Sequence, residues 1–412
     1  MKKALLLVCV LFTVSAYAQT GVKILFDARK AQMAGNADWV VDADLYNIGT
    51  GTGGVMQTGK GNEANPQRIP TPAQSGITST TTETYWKGAM SAWGVELAKR
   101  GYTIETLPYT VSLTYGNTSN VQDLSNYKVF ICVEPNIRFT TAEKTAIIQF
   151  VQNGGGLFMV GNHKGSDRNN DSWDAPAIWN DLMSSNGIKV NPFGITFDLV
   201  SFSQTTSNFA VITGNPILQG AAGTPLQMKY SSGTSMTLNK TANSTVTGLV
   251  YKTGAATTGT SNVMFAQARY GNGKVAAIGD SSPPDDGTGD TNDQLYNGWS
   301  AEVNGDHRRI LLNATLWLVN PALREGTTDD QRVNIWPNPF QHELNLSYVS
   351  ASGNPVDVVL FDMTGKALLT ERLGSSPGEN LQNIQVGILP AGVYVVRISD
   401  GEFTINRKLI RQ

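Results

Sequence analysis

The stretch TTAEKTAIIQFVQNGGGLFMVGNH, running from Thr140 to His163, decides the fold of the larger part of the chain. Thr140 and Glu143 stand at the spacing of a capping box, in which hydroxyl and carboxylate each satisfy a free N–H of the first helical turn. Ile147, Phe150 and Val151 share one face of the helix that follows, and Gly154-Gly-Gly156 ends it. Leu157-Phe-Met-Val160 is then a short apolar run closing on polar residues, the pattern of a strand buried on both faces of a parallel sheet.

The same alternation extends in both directions. Upstream, Val22-Lys-Ile-Leu-Phe-Asp27, Tyr102-Thr-Ile-Glu-Thr-Leu107 and Tyr127-Lys-Val-Phe-Ile-Cys-Val-Glu134 read as strands. Trp86, Met90, Trp93 and Leu97 predict one face of a helix over about 82–100, stopped by Gly101. Downstream, Asp174 caps a helix with Pro176 in its first turn, which runs to Asn186 and stops at Gly187. Asn262–Tyr270 and Gly273–Gly279 flank a tight turn at Gly271-Asn272, and a last helix spans about 306–319. Strand–helix alternation of this kind predicts a doubly wound, mostly parallel α/β sheet over residues 20–320, flavodoxin-like in its plan.

After a polar join at 321–332 only short alternating strands appear, among them Glu343–Tyr348, Val356–Met363 and Leu389–Ile398. Residues 333–412 therefore read as a small all-β, Ig-like sandwich. Trp336-Pro-Asn-Pro-Phe340, Phe361-Asp-Met-Thr-Gly-Lys366, Leu389-Pro-Ala-Gly-Val-Tyr394 and the terminal Lys408-Leu-Ile410 make this segment resemble the type A C-terminal sorting domain of the Bacteroidota type IX secretion system. That family usually has Tyr where Trp336 stands. The resemblance implies periplasmic entry, passage of the outer membrane, and release or attachment at the cell surface, with the secretion machinery as partner.

The N-terminus agrees with export. Lys2 and Lys3, an apolar run from Ala4 to Val14 and Ala16-Tyr-Ala18 predict a secretory signal peptide over 1–18. No stretch is long enough to predict a transmembrane helix. Cys9 would leave with that peptide, so Cys132 would remain as a buried strand residue with no disulfide partner. A formal net charge of -2 excludes a basic footprint for nucleic acid. Gly49-Thr-Gly-Thr-Gly-Gly54 lacks the Lys-Ser/Thr ending of a phosphate loop, so no nucleotide cofactor is expected.

The α/β segment resembles the class I glutamine amidotransferase-like superfamily, in particular its trehalose-utilisation-type relatives. The first strand to Asp27, Gly154-Gly-Gly-Leu-Phe-Met-Val-Gly-Asn-His163, Gly214-Asn-Pro-Ile217 and Tyr270-Gly-Asn-Gly-Lys-Val-Ala-Ala-Ile-Gly-Asp280 carry the likeness. The resemblance implies an amidotransferase-like sheet. It does not extend to thiol chemistry, because Gly161-Asn-His163-Lys offers no Cys nucleophile and no His-x-Glu pair follows.

Ligands of open α/β sheets bind beyond the carboxyl ends of the strands. Asp27, Glu134, Asn162, His163 and Asp280 occupy those positions, and Asp27, Glu134, His163 and Asp280 are the candidate catalytic set, with His163 or Glu134 moving the proton. The same residue types also cap turns. Asp167, Asn169 and Asp171 follow the alternation of a calcium loop and are the candidate ligands for calcium or another divalent cation, although Ser172 and Ile178 depart from that pattern. Two further acidic loops lie at 36–44 and 280–293. Trp39, Trp173, Trp179 and Trp299 beside them either face a sugar or pin loops to the core. The expected function is a secreted hydrolase-like enzyme acting on an extracellular carbohydrate or related polymer. The rival reading is a non-catalytic, calcium-stiffened glycan-binding or structural surface module.

Overall fold

The computed structural model describes residues 21–32, 38–42, 49–50, 56–57, 74–108, 110–289, 294–299, 305–319, 333–350, 353–376, 378–400 and 404–412. The expected signal peptide, the join at 321–332, and Asn36, Asp44, Asp290 and Asp293 of the acidic loops lie outside them.

The first part is built from β1 (Lys23–Ala28), β2 (Gly49–Thr50), β3 (Met56–Gln57), α1 (Ser91–Lys99), β4 (Thr103–Pro108), β5 (Val129–Val133), α2 (Thr141–Gln152) and β6 (Gly156–Val160). It continues with α3 (Ala175–Ser184), β7 (Ile195–Phe197), β8 (Phe202–Thr206), β9 (Met228–Gly233), β10 (Met236–Leu238), β11 (Thr247–Tyr251), β12 (Val263–Tyr270), β13 (Gly273–Ile278) and α4 (His307–Val319). A nine-stranded sheet runs β4-β1-β5-β6-β13-β12-β10-β7, with β11 also on β12. From β4 to β13 every pairing is parallel, and beyond β13 every pairing is antiparallel. The expected mostly parallel α/β sheet is present, with an antiparallel wing added at one side.

The parallel strands are apolar because both their faces are covered: all of β5, β6 and β13 is buried. Crossovers through α1 and α2 lead to opposite sides of β1, and right-handed connections then put those helices on opposite faces of the sheet. Phe26, Trp93, Phe158 and Phe265 stack edge to face through the middle of the core.

Helix α2 begins as its sequence dictates: Thr140 and Glu143 form the reciprocal capping box. Helix α1 does not. It starts at Ser91, and residues 82–90 form turns instead. Ser91 Oγ ties those turns together by accepting from Trp86 N–H and donating to the Glu83 carbonyl. Its free first-turn N–H at Ala92 is satisfied by the Asp286 carboxylate, from the far end of the domain, at 2.6 Å. Trp86, Met90, Trp93 and Leu97 are all buried nonetheless.

The C-terminal part contains β14 (Val333–Trp336), β15 (Glu343–Ser350), β16 (Val356–Phe361), β17 (Ala367–Leu373), β18 (Gly378–Gln385), β19 (Gly392–Ser399) and β20 (Thr404–Arg411). Two antiparallel sheets, β14-β15-β18 and β17-β16-β19-β20, share one core. Leu344, Leu346 and Tyr348 from one sheet meet Val358, Leu360, Val396 and Ile398 from the other.

Candidate functional site

Three adjacent parallel strands, β5, β6 and β13, end at the same rim of the sheet and deliver the site. Glu134 follows β5, Asn162 to Arg168 follow β6, and Asp280 to Ser282 follow β13. The β8–β9 hairpin closes over them with Ser231 and Ser232. Close approach of that hairpin requires Gly233, where a Cβ would stand 2.7 Å from the Asp280 Cβ. The result is a cavity of about 350 Å³ whose walls include Asn162, His163, Ser231, Ser282, Gln294 and Tyr296.

Glu134 is fully buried beneath the cavity, in the left-handed region at φ 42°. Non-glycine residues hold that conformation only where surrounding contacts enforce it. Here they do. Its N–H donates to the Val160 carbonyl, and its carboxylate accepts from Ser166 Oγ at 2.7 Å, Arg168 Nε at 2.6 Å and Ser281 Oγ at 2.6 Å. Burial works to raise the Glu134 carboxyl, but the Arg168 charge and these hydrogen bonds overcome it and hold the group below its ordinary value. Glu134 is therefore a charged, fully engaged anchor.

Asp280 is equally buried, but among the described residues no cation pairs with it. Its oxygens accept from Ser231 N–H at 2.6 Å and Ser282 N–H at 2.9 Å. Burial pushes its carboxyl up to about 7 against those hydrogen bonds, and the neighbouring Glu134 charge adds to the rise. Tyr230 lies behind it, donating to the Met264 carbonyl and accepting from Gly279 N–H.

His163 lines the cavity and is partly exposed, with Nδ1 on the Lys164 carbonyl at 2.8 Å. Asp27, the fourth nominated residue, is held elsewhere. It is sealed at the end of β1, where it accepts from Gln32 Nε2 at 2.7 Å and from the Cys132 thiol at 3.4 Å. Burial raises both the carboxyl and the thiol, so Cys132 is a core residue rather than a nucleophile. Of the four nominated residues His163 lines the cavity, Glu134 and Asp280 lie behind it and hold lining residues through hydrogen bonds, and Asp27 is engaged elsewhere with Gln32 and Cys132.

The 167–171 loop is organised by its own backbone. Asp167 accepts from the N–H groups of Asp171 and Ser172, and Asp171 accepts from that of Trp173. Among the described residues no three His, Cys, Asp or Glu side chains converge as ligands for a metal ion. Trp39, Trp179 and Trp299 are buried and pin loops to the core, while partly buried Trp173 lies under the Arg138 guanidinium at 4.0 Å.

Sequence reasoning missed the serines of the cavity wall, together with Gln294 and Tyr296. Serine carries no positional signal, and the hairpin that brings Ser231 and Ser232 was not read as a pair of strands. Arg168 was visible in the sequence, but only the fold pairs it with Glu134.

Residues 334–412 match the family described as a secretion system C-terminal sorting domain. No curated protein matches the chain. Among solved structures, the chain is similar to one described as the mmIFT52 N-terminal domain, at 15% identity and TM-score 0.40, covering 73% of this chain and 100% of that one. It is similar also to cytoplasmic protein STM3548 from Salmonella typhimurium, at 14% identity and TM-score 0.36, covering 72% and 99%. A third similarity, at 15% identity and TM-score 0.17, covers 21% of this chain and 12% of PorZ, a surface component of the type IX secretion system of Porphyromonas gingivalis. Among the described residues no helix is long and apolar enough to cross a membrane. The sorting domain, matched over 334–412, marks the chain as a secreted or cell-surface bacterial protein addressed to the type IX machinery.

Proposed function

We propose that the α/β domain recognises an extracellular carbohydrate in the cavity bounded by the β6 and β13 loops and the β8–β9 hairpin. The observation that carries this reading is the chemistry of the walls. Ser166, Ser231, Ser232, Ser281 and Ser282 line it with Asn162 and Gln294, beside the half-exposed ring of Tyr296. Hydroxyl and amide groups next to an aromatic face suit a polyhydroxylated ring. The volume of about 350 Å³ falls in the range of small-ligand pockets, roughly 300–1,000 Å³. Titration of the full mature chain with soluble oligosaccharides tests it by calorimetry. At least one should bind, and Tyr296→Ala should weaken it about tenfold, or about 1.4 kcal/mol. Silence across neutral, basic and acidic sugars alike would end the reading.

A second reading, hydrolysis of the bound sugar, is favoured by one observation. Asp280, raised to about 7, lies beside a charged Glu134, so two neighbouring carboxyls differ in protonation near neutral pH. Both are buried behind serines, whereas His163 lines the cavity and is placed to exchange a proton with ligand. Product release that His163→Ala abolishes, with ligand affinity kept, is the expected result for catalysis; undiminished turnover would remove His163 from that role.

A further inference from the structure

We infer that the cavity selects a sugar carrying a protonated amine and rejects acidic sugars, an assignment that rests on the carbohydrate reading above. The first ground is the direction of the hydroxyl protons. A charged carboxylate only accepts hydrogen bonds. Ser166 Oγ and Ser281 Oγ therefore commit their protons to Glu134, at 2.7 and 2.6 Å, and Ser282 Oγ commits its own to the Ser231 carbonyl at 3.1 Å. What these wall residues can offer a ligand is lone pairs. Ser166 already spends one on Asn162 Nδ2, at 2.9 Å. These three serines therefore favour a donor, and an ammonium is three donors with no acceptor.

The second ground is charge. The Tyr296 phenol, on the cavity wall, lies within electrostatic reach of Arg168 and of three acids, Asp280, Glu134 and Asp285. That guanidinium is ion-paired with Glu134 at 2.6 Å. Asp280 is held by backbone N–H groups of Ser231 and Ser282, and Asp167, which lines the wall, by those of Asp171 and Ser172. The exposed Lys164 is outside the lining, and among the described residues His163 is the one further basic side chain within it. Glu134 and Arg168 cancel and Asp280, raised to about 7, is mostly neutral at pH 6.5, so Asp167 and Asp285 carry the excess: an added carboxylate meets repulsion and an ammonium meets attraction.

The test compares three trisaccharides on the full mature chain at pH 6.5: of glucosamine, of N-acetylglucosamine and of galacturonic acid. The glucosamine trimer should bind about tenfold or more tighter than its acetylated counterpart, and the galacturonate trimer should not bind measurably. Ser281→Ala, which removes an acceptor, should bring the first two towards parity. Equal or reversed affinities in the wild-type protein overturn the inference while leaving carbohydrate recognition standing. No binding by these three or by neutral glucose oligomers overturns both.

Discussion

In the α/β domain, Glu134, Asp280 and Asp285 are fully buried and Lys274 nearly so, whereas the core of the sandwich is apolar from Val333 to Leu409. Among the described residues of the sandwich only Ser350 and Asp400 are buried polar side chains. Strand β16 states the rule of that region in six residues, with Val356, Val358 and Leu360 inward and the alternate positions outward. Burying charge is costly, and a buried ion pair seldom stabilises a fold more than apolar packing would. The contrast separates a region shaped by packing from one that carries charge under a cavity.

The largest expected effect strikes at the charged floor. Glu134→Ala removes the buried ion pair with Arg168 and the acceptor of two serines, and should cost about 3–5 kcal/mol. Urea unfolding followed by tryptophan fluorescence reads this out, because every tryptophan except Trp336 precedes the sandwich. A loss under about 1 kcal/mol would mean that relief of the left-handed backbone offsets the lost contacts. Next comes the apolar counterpart. Leu360→Ala, at a fully buried site, should cost about 3 kcal/mol in the transition of the sandwich, followed by far-ultraviolet dichroism. An unchanged midpoint there would break the contrast.

The smallest of the three effects is a pH dependence. Burial pushes Asp280 and Asp286 up to about 7, so the folded domain keeps protons that the unfolded chain releases near pH 4. Stability should fall as pH rises from about 4 to 7. Glu96 and Asp123 are held at about 2: burial opposes this, but Arg100 for the first and the hydroxyls of Ser125 and Thr114 for the second prevail. Their contribution is complete above the ordinary carboxyl range and is lost as pH falls towards 2. The α/β transition should therefore be most stable near pH 4–5. The described sandwich has a single shifted group, surface Asp362, and should respond far less. Parallel pH profiles for both regions would contradict the difference drawn between them.

The two regions were also unequally legible. Alternation in Val356–Leu360 and the motifs at Trp336 and Leu389 announce a sandwich because each strand carries its own pattern. The parallel strands and the capping box at Thr140 were readable for the same reason. What could not be read depends on distant partners. The start of α1 is set by Asp286, 194 residues away from Ala92, and no local signal reports it. The short strands β7 and β10 take their place from pairing with each other and β12. Strand-end logic nominated Glu134, His163 and Asp280, which the fold brings to one rim, and also Asp27, which Gln32 and Cys132 hold beside it.

Ser281 reaches Glu134 across 147 residues of chain, and β13, which carries it, is the last strand to enter the sheet. No truncated or half-assembled version of the domain can possess the cavity, so occupancy would report completion. Any ligand held there would stabilise only the finished molecule, by mass action. On a crowded cell exterior, that makes recognition a form of quality control: fragments shed by proteolysis before residue 273 would be blind.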